Sequence, residues 1–237
     1  MALYKNIIKK GGQFYGDLKK DPYGRYRSWE HCYTAFNVAR LNRTNKIDND
    51  ILALHLAFYL ASWGMYRGSS FLLQKDYKIH IKAVEIILRP KYNSLLGIKC
   101  KDYIEDPANL ELLFELSNKL KEYYNQVRLT VKRSVKQDMS NVLITKILMG
   151  TLGCVCAYDR YFVSGIKALH ISTANYNDKS VKKIAEFYLD NENDFNKLLE
   201  EINAKSGLKY PQMKLLDMCF WQFGFDLDNK NSNKIVR

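Results

Sequence analysis

Turn-forming residues are too scarce in this chain for a β architecture. Its 237 residues hold only 4 prolines and 12 glycines, whereas a β-sandwich of that length needs a turn signal every ~8–12 residues. Between these interruptions, apolar residues recur three and four apart, the spacing of one helix face. Leu110, Leu113, Leu116, Leu120, Tyr124 and Val127 form the clearest such stripe. The sequence predicts an all-α fold, a compact multi-helix domain built as one body or as two helical lobes. Hydrophobic residues, at 47%, are plentiful enough to give it a core.

Residues 1–27 are polar, basic and rich in Gly and Tyr, and read as an irregular arm that turns at Asp21-Pro22-Tyr23-Gly24. A single helical domain is expected over 28–225. Ser28 reads as the N-cap of a helix carrying Trp29, Cys32, Tyr33, Phe36 and Leu41. Asp48 or Asn49 would cap a second helix over 50–63, apolar nearly all round, in which His55 reads as a core residue. A third helix is expected over 69–88, stopping before Pro90, and 89–106 reads as loop. Asp106-Pro107 opens a long helix that the pattern carries towards 136. Further helices are expected at 139–150, 159–168, 178–189, 192–205 and 210–223, with Gly207 stopping the fourth of these. The Asn-rich tail, 226–237, is expected to fray.

The net charge of +12 favours an acidic partner, DNA or another nucleic acid before an anionic surface. Five cysteines, odd in number and irregularly spaced, read as reduced thiols in a cytoplasmic protein. Cys154-x-Cys156 is one residue short of a redox CxxC, so no metal site and no cofactor is expected. Met1 to Lys10 lacks the apolar run of a secretory signal. The longest apolar run, 51–63, is too short to span a bilayer and reads as a buried helix. No serine elbow, His-Glu-x-x-His or kinase motif set occurs.

Two constellations could carry chemistry. The first is Ser62-Trp63-Gly64-Met65-Tyr66-Arg67-Gly68-Ser69-Ser70, between two expected helices. Its glycines permit close approach of a ligand. Arg67, Gly68, Ser69 and Ser70 would form an anion site at a helix N-terminus, and Trp63 and Tyr66 could stack a base. The alternative is a tight turn with an ordinary serine cap.

The second runs from Thr145-Lys146 through Gly150 and Gly153 to Ala157-Tyr158-Asp159-Arg160. Asp159 would start a helix, where the dipole favours a carboxylate. Its plain reading is a capping acid paired with Arg160 or Lys146. This Thr-Lys helix, short connector and helix-initial Asp resembles part of the helix-hairpin-helix DNA glycosylases. In place of that family's Leu-Pro-Gly-Val-Gly hairpin the chain reads Asp138-Met139-Ser140-Asn141-Val142. The resemblance implies Asp159 as the catalytic residue of N-glycosidic bond hydrolysis. By the same resemblance Lys146 would mark the helix beyond the hairpin; on residue chemistry, Lys146 and Arg160 are candidate phosphate contacts and Tyr158 a candidate for stacking a base.

Lys132 and Arg133, within the basic stretch from Arg128 to Lys136, add candidate phosphate contacts. Glu30 and His31 adjoin in sequence, yet neighbours on a helix do not face each other. Three functions stay open: a nucleic-acid-binding protein with or without glycosylase-like catalysis, a non-catalytic helical protein docking an acidic partner, and an enzyme acting on a phosphorylated small molecule. The first requires cationic side chains, Arg67 and Lys146 among them, to gather beside Asp159.

Overall fold

A computed structural model describes residues 2–41, 48–131 and 139–235, with side chains described from 6 to 230. Among the described residues the secondary structure is helical throughout: α1 (Ala2–Lys20), α2 (Ser28–Leu41), α3 (Asn49–Ser62), α4 (Ile81–Ile87), α5 (Cys100–Glu105), α6 (Pro107–Leu129), α7 (Asn141–Thr151), α8 (Arg160–Ala168), α9 (Asp178–Asp190), α10 (Glu192–Ser206) and α11 (Gln212–Ile235). Short 3-10 helices occupy Arg25–Arg27, Phe71–Gln74, Tyr77–His80 and Pro90–Leu95. None of the described helices is long and apolar enough to cross a membrane. The chain divides into two compact units, one of residues 1–22, 97–107 and 153–237, the other of residues 23–96 and 108–152.

In the first unit, α11 packs on α8, α1, α9 and α10, and α5 packs on α9. The expected irregular arm is a helix. Ile7, Gly11, Phe14, Tyr15 and Leu18 are all buried, a stripe at intervals of three and four. The glycine that reads as a breaker lets α1 approach α11, because a Cβ on Gly11 would overlap the Cys219 sulfur and come within 3.2 Å of Leu198. The expected fraying from Asp226 is also corrected, since α11 continues to Ile235. Its polar half is tethered: Lys10 pairs with Asp226 at 2.5 Å and Arg160 with Asp228 at 2.7 Å.

The α8–α11 crossing brings backbones into contact. A Cβ on Gly224 would overlap the Tyr161 carbonyl oxygen and lie 2.8 Å from its carbon, and one on Gly165 would overlap the Phe220 carbonyl. Residues 153–158 enter this unit as buried, irregular chain, so their polar backbone needs partners. The Tyr103 hydroxyl donates to the Cys154 carbonyl at 2.7 Å, and the Ala157 N–H donates to Asp217 Oδ1 at 2.9 Å. Lys214 Nζ lies 3.1 Å from Asp217 Oδ2, each side chain 3% exposed.

In the second unit, α3 packs on α2, α4, α7 and the 77–80 turn, and α2 on α7. Asp48 caps α3 as expected, accepting from the N–H groups of Asp50 and Ile51. Ser28 does not act as expected: a 3-10 turn leads into α2, and Ser28 is buried in its first turn. The helix expected over 69–88 is broken. Ser70 accepts from the Leu72 N–H, Lys75 is extended, and Asp76 accepts from the Lys78 N–H. These local side-chain bonds compete with a continuous helix. The expected loop at 89–106 instead holds the Pro90–Leu95 turn and, in the first unit, α5. α6 ends at Leu129 rather than near 136. The expected helices at 139–150, 159–168, 178–189 and 192–205 are present within two residues at each end, and Gly207, at φ 70°, ends α10.

Candidate functional site

The expected cationic cluster around Asp159 is divided between the units. Asp159, Arg160 and Tyr158 belong to the first; Trp63, Tyr66, Arg67, Gly68, Ser69, Ser70 and Lys146 belong to the second. Lys132 and Arg133 lie outside the described residues.

Asp159 is the N-cap of α8. Its Oδ1 accepts from the Phe162 N–H at 3.2 Å, which is the plain reading of that residue. Arg160 is exposed, but its guanidinium is engaged by Asp228 and by the Tyr161 hydroxyl at 2.9 Å. Tyr158 is corrected from base-stacking candidate to core residue. It is buried against Phe162 and Tyr176, its hydroxyl sits 2.8 Å from Ser180 Oγ, and burial pushes its phenol up.

Lys146 is corrected in the same way. It is 2% exposed, and its ammonium lies 4.9 Å above the Trp63 ring, a cation–π contact rather than a surface phosphate contact. Trp63 is engaged on its flanks too, with Tyr26 at 4.7 Å and Tyr59 at 6.3 Å between ring centroids. The turn beyond it has the left-handed glycines that the sequence predicts, Gly64 at φ 75° and Gly68 at φ 58°. It does not open a helix of any length. Ser70 caps a four-residue 3-10 turn, so the expected anion site at the N-terminus of a long helix is not formed. Arg67, Gly68 and Ser69 are exposed on this turn.

Tyr66 has a role that the sequence conceals. Its hydroxyl lies 2.6 Å from Nε2 of His80, whose Nδ1 lies 2.6 Å from the Tyr124 hydroxyl. His80 and Tyr124 are fully buried. Burial drives the His80 pKa down to about 4 and raises both phenols, that of Tyr66 to about 12. A neutral imidazole donates through one nitrogen and accepts through the other. One tyrosine therefore donates to the ring and the other accepts from it, and the chain is complete without a charge. The signal for this triad, Tyr66, His80 and Tyr124, is spread over 58 residues and has no motif spacing.

His55 is half-buried rather than a core residue, and its pKa is lowered, first by burial and then by the neighbouring His31. The same helix, expected to be central, shows an apolar face to solvent: Ile51, Leu54 and Phe58 are 49%, 49% and 57% exposed. The five cysteines are all buried. Burial raises the thiols of Cys32, Cys100, Cys156 and Cys219, which keeps them protonated and poorly nucleophilic. Among the described residues, no group of three or more His, Cys, Asp or Glu side chains could hold a metal ion.

Charge divides unequally along the chain. The sequence of the second unit carries 18 Lys and Arg against 9 Asp and Glu; that of the first carries 19 against 16. The second unit thus holds +9 of the total +12. No protein-family model matches the chain, and neither curated proteins nor solved structures yield a match.

Proposed function

We propose that this chain is a nucleic-acid-binding helical protein whose second unit grips the phosphate backbone without reading bases. The cluster expected beside Asp159 no longer carries this reading; the observation that does is the charge asymmetry, +9 on the second unit and +3 on the first. Excess cationic charge attracts a polyanion and releases its counterions, a sequence-independent source of affinity. Base excision is the less favoured extension. Asp159 is engaged in capping α8, and Tyr158 and Lys146 are buried, so the residues that the glycosylase resemblance picks out act in holding the fold.

The test is titration of labelled duplex and single-stranded oligonucleotides across a salt series. Binding should weaken as the logarithm of salt rises, with a slope near −0.9 per duplex phosphate neutralised. Absence of binding at 20 mM salt, a concentration chosen for the assay, refutes the reading. The exposed apolar face of α3, with Ile51, Leu54 and Phe58 at helical spacing, favours a second reading, a helical module that docks a protein partner. Loss of a co-purifying protein on Phe58→Asp, with nucleic-acid affinity unchanged, would favour that alternative.

A further inference from the structure

No exposed position on α2 or α3 holds a Lys, Arg, Asp or Glu. On α2 the exposed positions are His31, Thr34, Val38 and Leu41; on α3 they are Ile51, Leu54, Phe58 and Ala61. Both sets step by three, four and three residues, the narrow seam of a helix that packs along another helix. Exposed helix positions ordinarily carry the charge of a chain that is 26% Asp, Glu, Lys and Arg. Here most are large and apolar instead: besides Ile51, Leu54 and Phe58, Val38 is 48% and Leu41 80% exposed.

The two seams share one surface. Seven residues separate α2 from α3, and the helices pack together, so they run antiparallel. α7 packs on both. At about 100° per residue, each exposed row points about 160° away from the row its own helix buries, Phe36 and Arg40 on α2, Leu56 and Leu60 on α3. His31 on α2 is also near enough to His55 on α3 to lower its pKa, second to burial, as neighbouring rows of adjacent helices require. The five large side chains leave roughly 500 Å² of apolar surface in solvent, towards the upper end of what a monomer exposes in one patch.

We infer that this face pairs two copies of the chain about a two-fold axis, as a four-helix bundle with α2 and α3 from each copy. The inference takes the docking reading of α3 and names its occupant; it stands apart from nucleic-acid binding. Three observations select a second copy. An identical partner brings the same net charge of +12, so self-pairing demands a face without charge, and this face has none. Two copies remove about 1,000 Å² of the apolar surface, and with the rim of the contact reach roughly 1,200 Å², where stable interfaces begin. The face is also complementary to itself. Val38, Leu41, Ile51 and Leu54 gather where α2 ends and α3 begins, and Thr34 and Ala61 lie towards the other end. A two-fold axis normal to the face sets the bulky end of one copy over the small residues of the other.

The experiment is sedimentation velocity of the nuclease-treated full chain from about 1 to about 100 µM, the weak end of affinities for such interfaces. The wild type should be dimeric at the upper concentration. Leu54→Asp/Phe58→Asp places carboxylates on the face and should be monomeric throughout. Leu73→Asp/Leu129→Asp changes two exposed leucines outside the face, 47% and 66% exposed, with the same change of charge, and should pair as the wild type does. Circular dichroism checks that each variant is folded. Leu41→Ala/Phe58→Ala, which only shortens side chains, should weaken pairing about tenfold or more and decides the matter if the aspartates prevent folding. Raising salt from about 0.1 to about 0.5 M screens the like charge of the two copies and should tighten pairing, opposite in sign to nucleic-acid binding. A wild type monomeric at about 100 µM, a comparison pair that dissociates, alanines without effect, growth beyond two copies or dissociation by salt each overturns the pairing. All five outcomes leave the nucleic-acid reading to its own titration.

Discussion

Stability should fall with acid because of His80, and the size of the effect follows from its burial. The ring is fully buried between Tyr66 and Tyr124, and its pKa is pushed from 6.5 to about 4. Between these values the unfolded chain binds a proton that the folded chain refuses. Unfolding is therefore favoured as pH falls, and the stability contributed by the neutral ring is fully present above about 6.5. A displacement of about 2.5 units at ~1.4 kcal/mol per unit gives a loss of roughly 3 kcal/mol by pH 4. An imidazolium would also turn both nitrogens into donors and force the tyrosine that donates to the ring to find another acceptor. Urea unfolding of the wild type and His80→Gln at pH 7, 5.5 and 4 measures this. Carboxylates titrate in both proteins, so their contribution cancels in the difference. The two curves should converge by about 3 kcal/mol between pH 7 and pH 4. Parallel curves would refute the argument that His80 is held neutral by its surroundings.

Two other perturbations test the first unit. Gly224→Ala should destabilise by about 1–3 kcal/mol despite alanine's better helix propensity, because the new methyl meets the Tyr161 backbone; a thermal melt at or above the wild-type temperature would refute the close crossing. Asp217→Leu should cost about 3–5 kcal/mol by leaving Lys214 buried beside an apolar group, whereas Asp217→Leu combined with Lys214→Met should recover part of that loss in denaturant titration. Additive losses would show that the two groups do not act as a pair.

The elements that the sequence reveals best are those whose information is local. α3 and α8 begin at the capping acids Asp48 and Asp159, and α10 ends at Gly207. Each of these boundaries depends on a backbone bond or a dihedral within three residues. α1 was not legible: its three glycines read as breakers of an irregular arm, and the stripe from Ile7 to Leu18 marks a helix only once α11 is seen to press on Gly11. The break between 70 and 81 was not legible, because Ser70 and Asp76 are each compatible with a helix and only the surrounding packing selects the turns.

For the candidate site the division is sharper. Residue chemistry draws attention to Lys146, Tyr158 and Asp159, yet two of these are buried and the third is a cap. Nothing in the residue types distinguishes a lysine above an indole from one facing phosphate, because that difference lies in what the fold places over the side chain. The sequence by itself determined the helical class, the positive charge and its concentration in particular segments, since these depend on composition and on periodicity along the chain. Only the tertiary structure decided that His80 lies between two tyrosines, that Lys146 lies above the Trp63 ring and that Lys91 and Lys119 meet at Glu115. These groups lie far apart along the backbone, and their meeting depends on how helices pack.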